Sequence, residues 1–129
     1  MTDFLLVDTD ILIDVGNGIP NAIARLSLES QNLSLAISVV TKMELIVGCR
    51  NKTELQYLHK FLQDYELFFI DKFVSNEAVR LIEEYRLSHG LLIPDALIAA
   101  TAIARQIPLL SKNQKDYRFI PELNLSAYP

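Results

Sequence analysis

Short apolar runs alternate along this chain with longer amphipathic stretches. The runs have the length of strands and occur at Phe4–Val7, Leu35–Val40, Leu67–Ile70 and Leu109–Leu110, with a weaker fifth at Leu123–Ala127. Each gap between them, except the last, carries apolar residues at helical spacing. Because strands that alternate with helices form a mostly parallel sheet with helices on both faces, the pattern predicts an α/β fold.

Three apolar stripes in these gaps predict surface helices that each dock one face on the sheet. The stripes are Ile19, Ala22, Ile23 and Leu26, then Leu55, Leu58, Leu62 and Tyr65, and then Val74, Ala78, Leu81, Ile82 and Tyr85. The segment Ala96–Ala104 differs because it has no polar face. It predicts a central helix that is buried on nearly every side.

Length and composition predict one compact domain over residues 1–129. Half of the 129 residues are hydrophobic and 22% are charged, which suffices for a sizeable core but leaves no room for a second domain. The formal net charge of −4 provides no general basic field. Any contact with nucleic acid must therefore use a local basic patch.

The sequence also predicts a cytoplasmic location without a membrane contact. Its start, Met-Thr-Asp, lacks the basic and then apolar order of a signal peptide. The longest apolar stretch, from Leu91 to Ala104, is interrupted by Pro94 and Asp95 and is too short to span a bilayer. The single Cys49 rules out an intramolecular disulfide and a zinc site built on cysteine pairs.

Four acidic side chains carry the candidate chemistry. Asp8 directly follows the first strand, Asp95 opens the apolar helix, and Asp116 lies in a polar turn after the fourth strand. Glu44 lies three residues after Thr41, which is the spacing of a capping box. Each acid thus has a structural interpretation as well, since Asp8 and Asp95 suit helix N-caps and Asp116 suits a turn.

Together the four acids predict a metal-dependent hydrolase. Ligands of open α/β sheets bind outside the carboxyl ends of the strands, and carboxylates that converge there repel one another unless a cation neutralises them. Ligation by oxygen alone suits Mg²⁺ or Mn²⁺. Such an ion activates water toward a phosphodiester, so that neither a histidine nor a serine nucleophile is needed.

A basic cluster accompanies the acids and predicts contacts to phosphate. Its members are Lys112, Lys115 and Arg118 around Asp116, Lys42 near Glu44, and Arg50 and Lys52 beyond that helix. The alternative interpretation of these side chains is a solvated surface.

Four motifs, in this order, resemble those of the PIN-domain ribonucleases and most closely the VapC-type toxins of bacterial and archaeal toxin–antitoxin pairs. They are Leu-Val-Asp-Thr-Asp-Ile-Leu around Asp8, Glu-Leu-Ile-Val-Gly from Glu44, Asp-Ala-Leu-Ile-Ala-Ala-Thr-Ala from Asp95, and Ser-Lys-Asn-Gln-Lys-Asp-Tyr from Ser111. The third motif is specific by itself, and the resemblance covers essentially the whole chain.

The resemblance implies a PIN-like fold and an endoribonuclease that acts on RNA. It implies that Mg²⁺ or Mn²⁺ is held by the catalytic acids Asp8, Glu44, Asp95 and Asp116. It also implies that carboxylates or water are oriented by Thr9, Ser111 and Asn113. A homodimer and a small antitoxin, whose tail covers the acidic groove, follow from the same resemblance.

One position departs from this pattern, because Asp10 stands where such toxins often carry Asn or Ser. Its carboxylate is expected either to add charge to the site or to face solvent.

Two other functions stay open. The segment from Asp8 to Asp10 approaches the Asp-x-Asp motif of haloacid-dehalogenase-like phosphatases, with Asp8 as the nucleophile and with Ser38 and Lys112 as phosphate binders. That family expects Thr or Val where Leu12 stands, and its late paired-Asp motif is missing. The other alternative is a non-catalytic domain whose acids bind a basic peptide.

Overall fold

Parallel strands form the centre of residues 3–129, the part of the chain that this computed structural model describes. The strands in this part are β1 (Phe4–Val7), β2 (Ser34–Ser38), β3 (Glu66–Phe68), β4 (Leu109–Leu110) and β5 (Leu125–Ser126). They lie in one sheet in the order β3-β2-β1-β4-β5, and every neighbouring pair is parallel. The predicted α/β fold with a parallel sheet is confirmed.

Helices connect the strands and cover both faces of the sheet. They are α1 (Thr9–Gly16), α2 (Pro20–Glu29), α3 (Val39–Val47), α4 (Lys52–Phe61), α5 (Lys72–His89), α6 (Ile93–Arg105) and α7 (Gln114–Tyr117). Within residues 3–129, no helix is long and apolar enough to cross a membrane.

The pleat of the central strand β1 divides the core in two. Leu6 packs in a cluster with α5 and α6, whereas its neighbours Leu5 and Val7 pack on the opposite face with α1 and α2. Helix α6 lies deep in the first cluster, where Ala99 and Ala100 are fully buried, as its lack of a polar face predicts. Strand β1 is thus covered on both faces by apolar side chains. A polar side chain in line with this strand can therefore stand only beyond its last residue.

The turn from β2 into α3 corrects two predictions. The Ser38 hydroxyl accepts a hydrogen bond from Val40 N at 3.0 Å and caps α3, so β2 ends two residues before the predicted Val40. Thr41 therefore lies inside the helix, where it is fully buried. The predicted capping box between Thr41 and Glu44 is wrong, because Ser38 already satisfies the free amide at this helix end.

Two of the predicted helical stripes are only partly correct. The stripe from Leu55 predicts a helix through Tyr65, but α4 ends at Phe61 and a 3₁₀ turn, Leu62–Asp64, follows it. In α2 the apolar residues at the edge of the stripe stay exposed, with Ile23 45% exposed. The spacing of apolar residues does not show how much of a helix surface the sheet will cover.

The remaining elements follow the predictions more closely. Helix α5 buries Val74 and Leu81 of its predicted stripe and ends at Gly90, whose left-handed φ of 72° suits glycine. Strand β3 starts and ends slightly earlier than the predicted Leu67–Ile70, and β5 is a short part of the predicted Leu123–Ala127.

Candidate active site

The carboxyl ends of three neighbouring strands, β2, β1 and β4, meet at one edge of the sheet. Strand β1 runs into Asp8, β4 runs into Ser111, and β2 leads into α3, which carries Glu44. Pairing continues past the end of β1, because Asp8 N donates to Leu110 O at 2.9 Å. Residues of separate motifs are thereby brought to the edge where α/β sheets bind ligands.

Asp8 is the most buried of the predicted site acids, with 5% of its surface exposed. Its Oδ1 accepts a hydrogen bond from Thr9 N at 2.8 Å, which caps α1, and its Oδ2 accepts one from the Ser111 hydroxyl at 2.7 Å. Burial, and next the charge of Asp10, raise the pKa of Asp8 to about 7. The capping interpretation is confirmed, and the second oxygen is held by the loop after β4.

Thr9 connects α1 to α3 through its hydroxyl. This hydroxyl donates to Glu44 Oε1 at 2.7 Å and lies 3.0 Å from the hydroxyl of the buried Thr41. Glu44 is itself exposed, so the bond from Thr9 is what directs its carboxylate. The geometry agrees with the orienting role that the motif resemblance implies for Thr9.

Asp95 lies in the first turn of α6, and Leu92 rather than Asp95 is at the N-cap. The predicted N-cap role is wrong, because two helical residues precede Asp95. Its Oδ1 instead accepts a hydrogen bond from the Tyr117 hydroxyl at 3.2 Å. Tyr117 is buried and was not among the predicted site residues, since a tyrosine in a polar turn carries no signal of its own.

The acids of different motifs act on one another electrostatically. Burial raises the pKa of Asp95, and the charges of Asp116, Glu44 and Asp10 raise it further. These residues lie on α6, α7, α3 and α1. The predicted acids are thus gathered at one edge, and Asp10 belongs with them.

Asp10 turns inward rather than toward solvent. Its Oδ2 accepts hydrogen bonds from Lys112 N and Asn113 N, both at 3.1 Å. Its Oδ1 is buried and has no hydrogen-bond partner within residues 3–129. Of the two expectations for this residue, the one that it faces solvent is wrong, because Asp10 lies beside Asp8 and shares the Ser111 hydroxyl with it.

The predicted basic residues are placed unevenly. Lys112 Nζ lies 3.0 Å from Asp14 Oδ2, so this cation is paired within the chain. Lys115 and Arg118 are exposed on and directly after α7, and Lys42 is half-buried in α3. The pairing of Lys112 was missed, although Asp14 lies one helical turn after Asp10 and so on the same face of α1.

The donor chemistry of the site suits a hard cation. Carboxylate and hydroxyl oxygens converge there, and such ligands are typical of Mg²⁺ and Mn²⁺. The buried Asp10 Oδ1, which has no hydrogen-bond partner among the described residues, is also an acceptor that a cation would satisfy. As placed, however, no three acidic, histidine or cysteine side chains in the described part of the chain stand close enough to hold one ion. The acids are therefore gathered loosely.

An apolar groove of about 400 Å³ borders the acids between α1, α3 and α4. Glu44 belongs to its lining, together with Leu12, Ile13, Tyr57 and Phe61. Ile13 and Tyr57 are 50% and 70% exposed. These exposed apolar side chains lie in the same groove as the carboxylate of Glu44.

The sequence of this chain is similar to a family model and to individual proteins. The family model of the PIN domain matches residues 5–120. The chain is 32% identical over 126 residues to Ribonuclease VapC1 of Methanocaldococcus jannaschii, an alignment that covers 96% of this chain and 86% of that protein. It is 33% identical over 120 residues to Ribonuclease VapC19 of Mycobacterium tuberculosis, with coverage of 92% and 95%.

Solved structures share the fold. A chain of a toxin–antitoxin complex from Klebsiella pneumoniae superposes with a TM-score of 0.79 at 32% identity, covering 95% of this chain and 96% of that one. A chain of VapBC2 from Rickettsia felis, bound to a DNA fragment from the promoter, superposes with a TM-score of 0.84 at 26% identity and covers 98% and 99%.

Proposed function

Because this chain belongs to the PIN-domain family, we propose that it is a metal-dependent endoribonuclease and the toxin of a type II toxin–antitoxin pair. The observation that carries this proposal is the gathering of acids from separate elements, which hydrogen bonds from Ser111 to Asp8, from Thr9 to Glu44 and from Tyr117 to Asp95 hold at one edge of the sheet. A fold alone does not define an activity, so the chemistry of this edge has to support it. The relatives named as ribonucleases support the same class of substrate.

Four carboxylates would hold the ion, which is Mg²⁺ with Mn²⁺ as a substitute. They are the acids Asp8, Glu44, Asp95 and Asp116. When bound, the ion supplies an activated water and stabilises the charge that develops on a phosphodiester.

Hydroxyls of this chain contact three of these four acids. Tyr117 bonds Asp95 at 3.2 Å, and the other two bonds are shorter. The Ser111 hydroxyl holds Asp8 and the Thr9 hydroxyl holds Glu44, each at 2.7 Å. Both carboxylates are thus directed before any ligand binds, which is the usual task of groups behind metal ligands. Asn113, which follows Ser111 in the same loop, would orient water or a carboxylate.

Contacts to the RNA backbone are assigned to the basic residues around the acids. Lys115 and Arg118 are exposed beside Asp116, which supports this role for both of them. Lys42 and Lys112 complete the set, although Lys112 must exchange its pairing with Asp14 for a phosphate.

Cleavage of a mixed RNA pool by the purified protein tests the proposal. We expect cutting with Mg²⁺ or Mn²⁺, none with EDTA, and none by the Asp95→Asn variant, which loses one ligand charge. Asp71→Asn is the matched control, because Asp71 caps α5 beside Arg105 and Asp3, away from the acids. Cutting that survives both EDTA and Asp95→Asn would show that the assigned site is not the active one.

The antitoxin is assigned to the apolar groove between α1, α3 and α4. Its apolar lining and the neighbouring Glu44 suit an amphipathic segment that ends in a basic side chain. The similar structures from Klebsiella pneumoniae and Rickettsia felis, a toxin–antitoxin complex and VapBC2, support an antitoxin as the partner.

Co-expression with a VapB-type antitoxin tests that assignment. We expect a stable complex that does not cut RNA. Ile13→Asp places a charge in the groove without touching the acids, so it should weaken the complex while cutting by the free protein persists. An unchanged complex would exclude the groove as the binding surface.

A homodimer is assigned to the outer face of α5 and α6. Val79 and Ile93 on this face are 57% and 68% exposed, and both line one apolar groove of about 390 Å³. Light scattering of the purified protein should give twice the mass of the chain, and Val79→Lys should halve it. A monomeric wild type would contradict the assignment.

The phosphatase alternative has little support. Ser38, its first proposed phosphate binder, is 1% exposed and caps α3. Lys112, the second, is paired with Asp14. The peptide-binding alternative is tested by the same cleavage assay, since it requires complex formation without any cutting.

A further inference from the structure

The carboxylate of Asp10 stands on α1 but is used by the loop after β4. Its Oδ2 accepts the amides of Lys112 and Asn113, both at 3.1 Å, and lies 3.3 Å from the Ser111 hydroxyl. Two successive amides directed at one oxygen form a small anion-binding concavity. The anion that occupies it here is a side chain of the same molecule.

The loop Ser111–Asn113 connects the two sides of the acidic site. Its first residue holds Asp8 through a 2.7 Å hydrogen bond. Its last residue leads directly into α7, which carries Asp116 and the Tyr117 that bonds Asp95 at 3.2 Å. A displacement of this loop would therefore move Asp116 and Tyr117 relative to Asp8.

We propose that Asp10 is a positioning residue, which fixes the loop Ser111–Asn113 and thereby the distance between Asp8 and the acids on α6 and α7. Asp10 acts through the backbone of the loop and not on the RNA. The effect on cleavage rests on the proposed function, whereas the effect on the loop does not.

The contacts require an acceptor oxygen and not a negative charge. All of the loop contacts are made by Oδ2, while Oδ1 is buried and without a partner in the described residues. Asparagine keeps one acceptor oxygen that both amides can share. Alanine keeps neither oxygen, and since it favours helices it should leave α1 folded. Comparison of Asp10→Asn with Asp10→Ala therefore separates the loss of the negative charge from the loss of the acceptor oxygen.

Amide hydrogen exchange followed by NMR reads the loop directly. Lys112 N donates to Asp10 Oδ2, whereas Asn113 N donates to the Ser111 hydroxyl at 3.1 Å as well as to Asp10. In Asp10→Ala we expect exchange of the Lys112 amide to accelerate roughly tenfold to a hundredfold, the effect of losing a hydrogen bond to a carboxylate. The Asn113 amide should accelerate less, and Asp10→Asn should change both by only about twofold to threefold.

RNA cleavage supplies the second measurement. We expect kcat of Asp10→Ala to fall about tenfold or more with little change in KM, and Asp10→Asn to restore most of it. The control is Asp71→Ala, which also removes an acceptor of a backbone amide, here Val74 N at 2.9 Å, but away from the acids. It should leave the Lys112 amide and cleavage unchanged.

Two results would overturn the proposal. One is a Lys112 amide that exchanges at the same rate in Asp10→Ala and in the wild type. The other is cleavage by Asp10→Asn that falls as far as in Asp10→Ala while the loop stays protected, because the charge itself would then be needed. A wild type that cuts no RNA would contradict the proposed function, and the exchange rates would still decide whether Asp10 holds the loop.

Discussion

The acidic site has two halves that differ in how firmly they are held. The inner half is Asp8 with Asp10, and its carboxylates accept hydrogen bonds from a hydroxyl and from backbone amides at 2.7 to 3.3 Å. The outer half is Glu44, Asp95 and Asp116. Glu44 and Asp95 are each held by a single hydroxyl, from Thr9 and Tyr117, and Asp116 is exposed.

The difference shows what the fold provides without a ligand. The inner half lies at the end of the central strand, where hydroxyl and amide donors of the loop after β4 hold two acids close together in spite of their repulsion. The outer half stands on helices and is freer to adjust. We infer that a ligand meets a rigid inner half and draws in the outer half, which agrees with the loose spacing of the acids as placed.

The largest effect is expected from the inner half, in Asp8→Asn. Asparagine keeps the cap of α1 but removes the charge, so RNA cleavage should fall about a thousandfold or more. The folded state should persist, because a buried charge is replaced by a neutral group of the same shape. Circular dichroism and a cleavage assay measure the two effects. Asp64→Asn, in the exposed 3₁₀ turn, is the control. An equal loss of RNA cleavage in both variants would show that the charge of Asp8 has no special role.

The pH dependence of stability should also come from the inner half. The pKa of Asp8 is raised from its ordinary value of 3.8 to about 7, first by burial and then by Asp10. Between about pH 4 and about pH 7 the folded chain keeps a proton that the unfolded chain has lost, so the free energy of unfolding falls as pH rises. The fall should be on the order of 2–4 kcal/mol across this window.

Denaturant unfolding in EDTA at several pH values measures this slope. Asp8→Asn should make it shallower, because the carboxyl whose pKa is raised to about 7 is gone. Asp10 and Asp95, whose pKa values are also raised by burial, should keep part of the slope. Excess Mg²⁺ should also flatten it in the wild type, because a bound cation favours the ionised carboxylate. A slope that is the same in wild type and Asp8→Asn would show that other groups cause it.

Hydroxyl support should matter more in the inner half than in the outer half. Ser111→Ala removes a 2.7 Å hydrogen bond to the buried Asp8, so we expect cleavage to fall roughly tenfold to a hundredfold. Tyr117→Phe removes a 3.2 Å bond to the half-buried Asp95 and should cost about threefold. Single-turnover cleavage rates compare the two. A larger loss in Tyr117→Phe would reverse the assignment of the halves.

The smallest effect is expected at the exposed end of the outer half. Asp116→Asn removes one charge from the set, so cleavage should fall about twofold at low Mg²⁺ and recover at high Mg²⁺. Titration of the rate with Mg²⁺ separates a weaker affinity from a lower maximal rate. Lys115→Ala is the neighbouring control, because it should weaken RNA binding without changing the Mg²⁺ response. No rescue at high Mg²⁺ would mean that Asp116 does more than bind the ion.

Local patterns predicted much of this molecule. Apolar runs and stripes identified the strands, α5 and the buried α6, because the period of apolar positions reflects which face is covered. These patterns gave a wrong boundary where the hydrogen bond of a polar side chain starts a new element within an apolar run. The run through Val40 looks like one strand, but the hydroxyl of Ser38 caps α3 and ends it.

The acids were also found from position, since Asp8 follows a strand and Asp95 opens a helix. Their surroundings were not found. The sequence does not decide between two roles for Asp10, gives no signal for Tyr117, and predicts for Thr41 a cap that Ser38 provides. Each of these depends on a partner in another element.

The order of residues was thus enough to establish an α/β fold and to pick out the acids, because strand, helix and motif signals lie within a few neighbouring residues. The contacts that hold the acids, in contrast, form only when distant parts of the chain come together in the folded structure. Asp10 and Lys112 are 102 residues apart in the chain, yet one carboxylate oxygen binds the amides of Lys112 and Asn113. Burial, which moves the pKa of Asp8 to about 7, likewise arises only when β1 is covered on both faces.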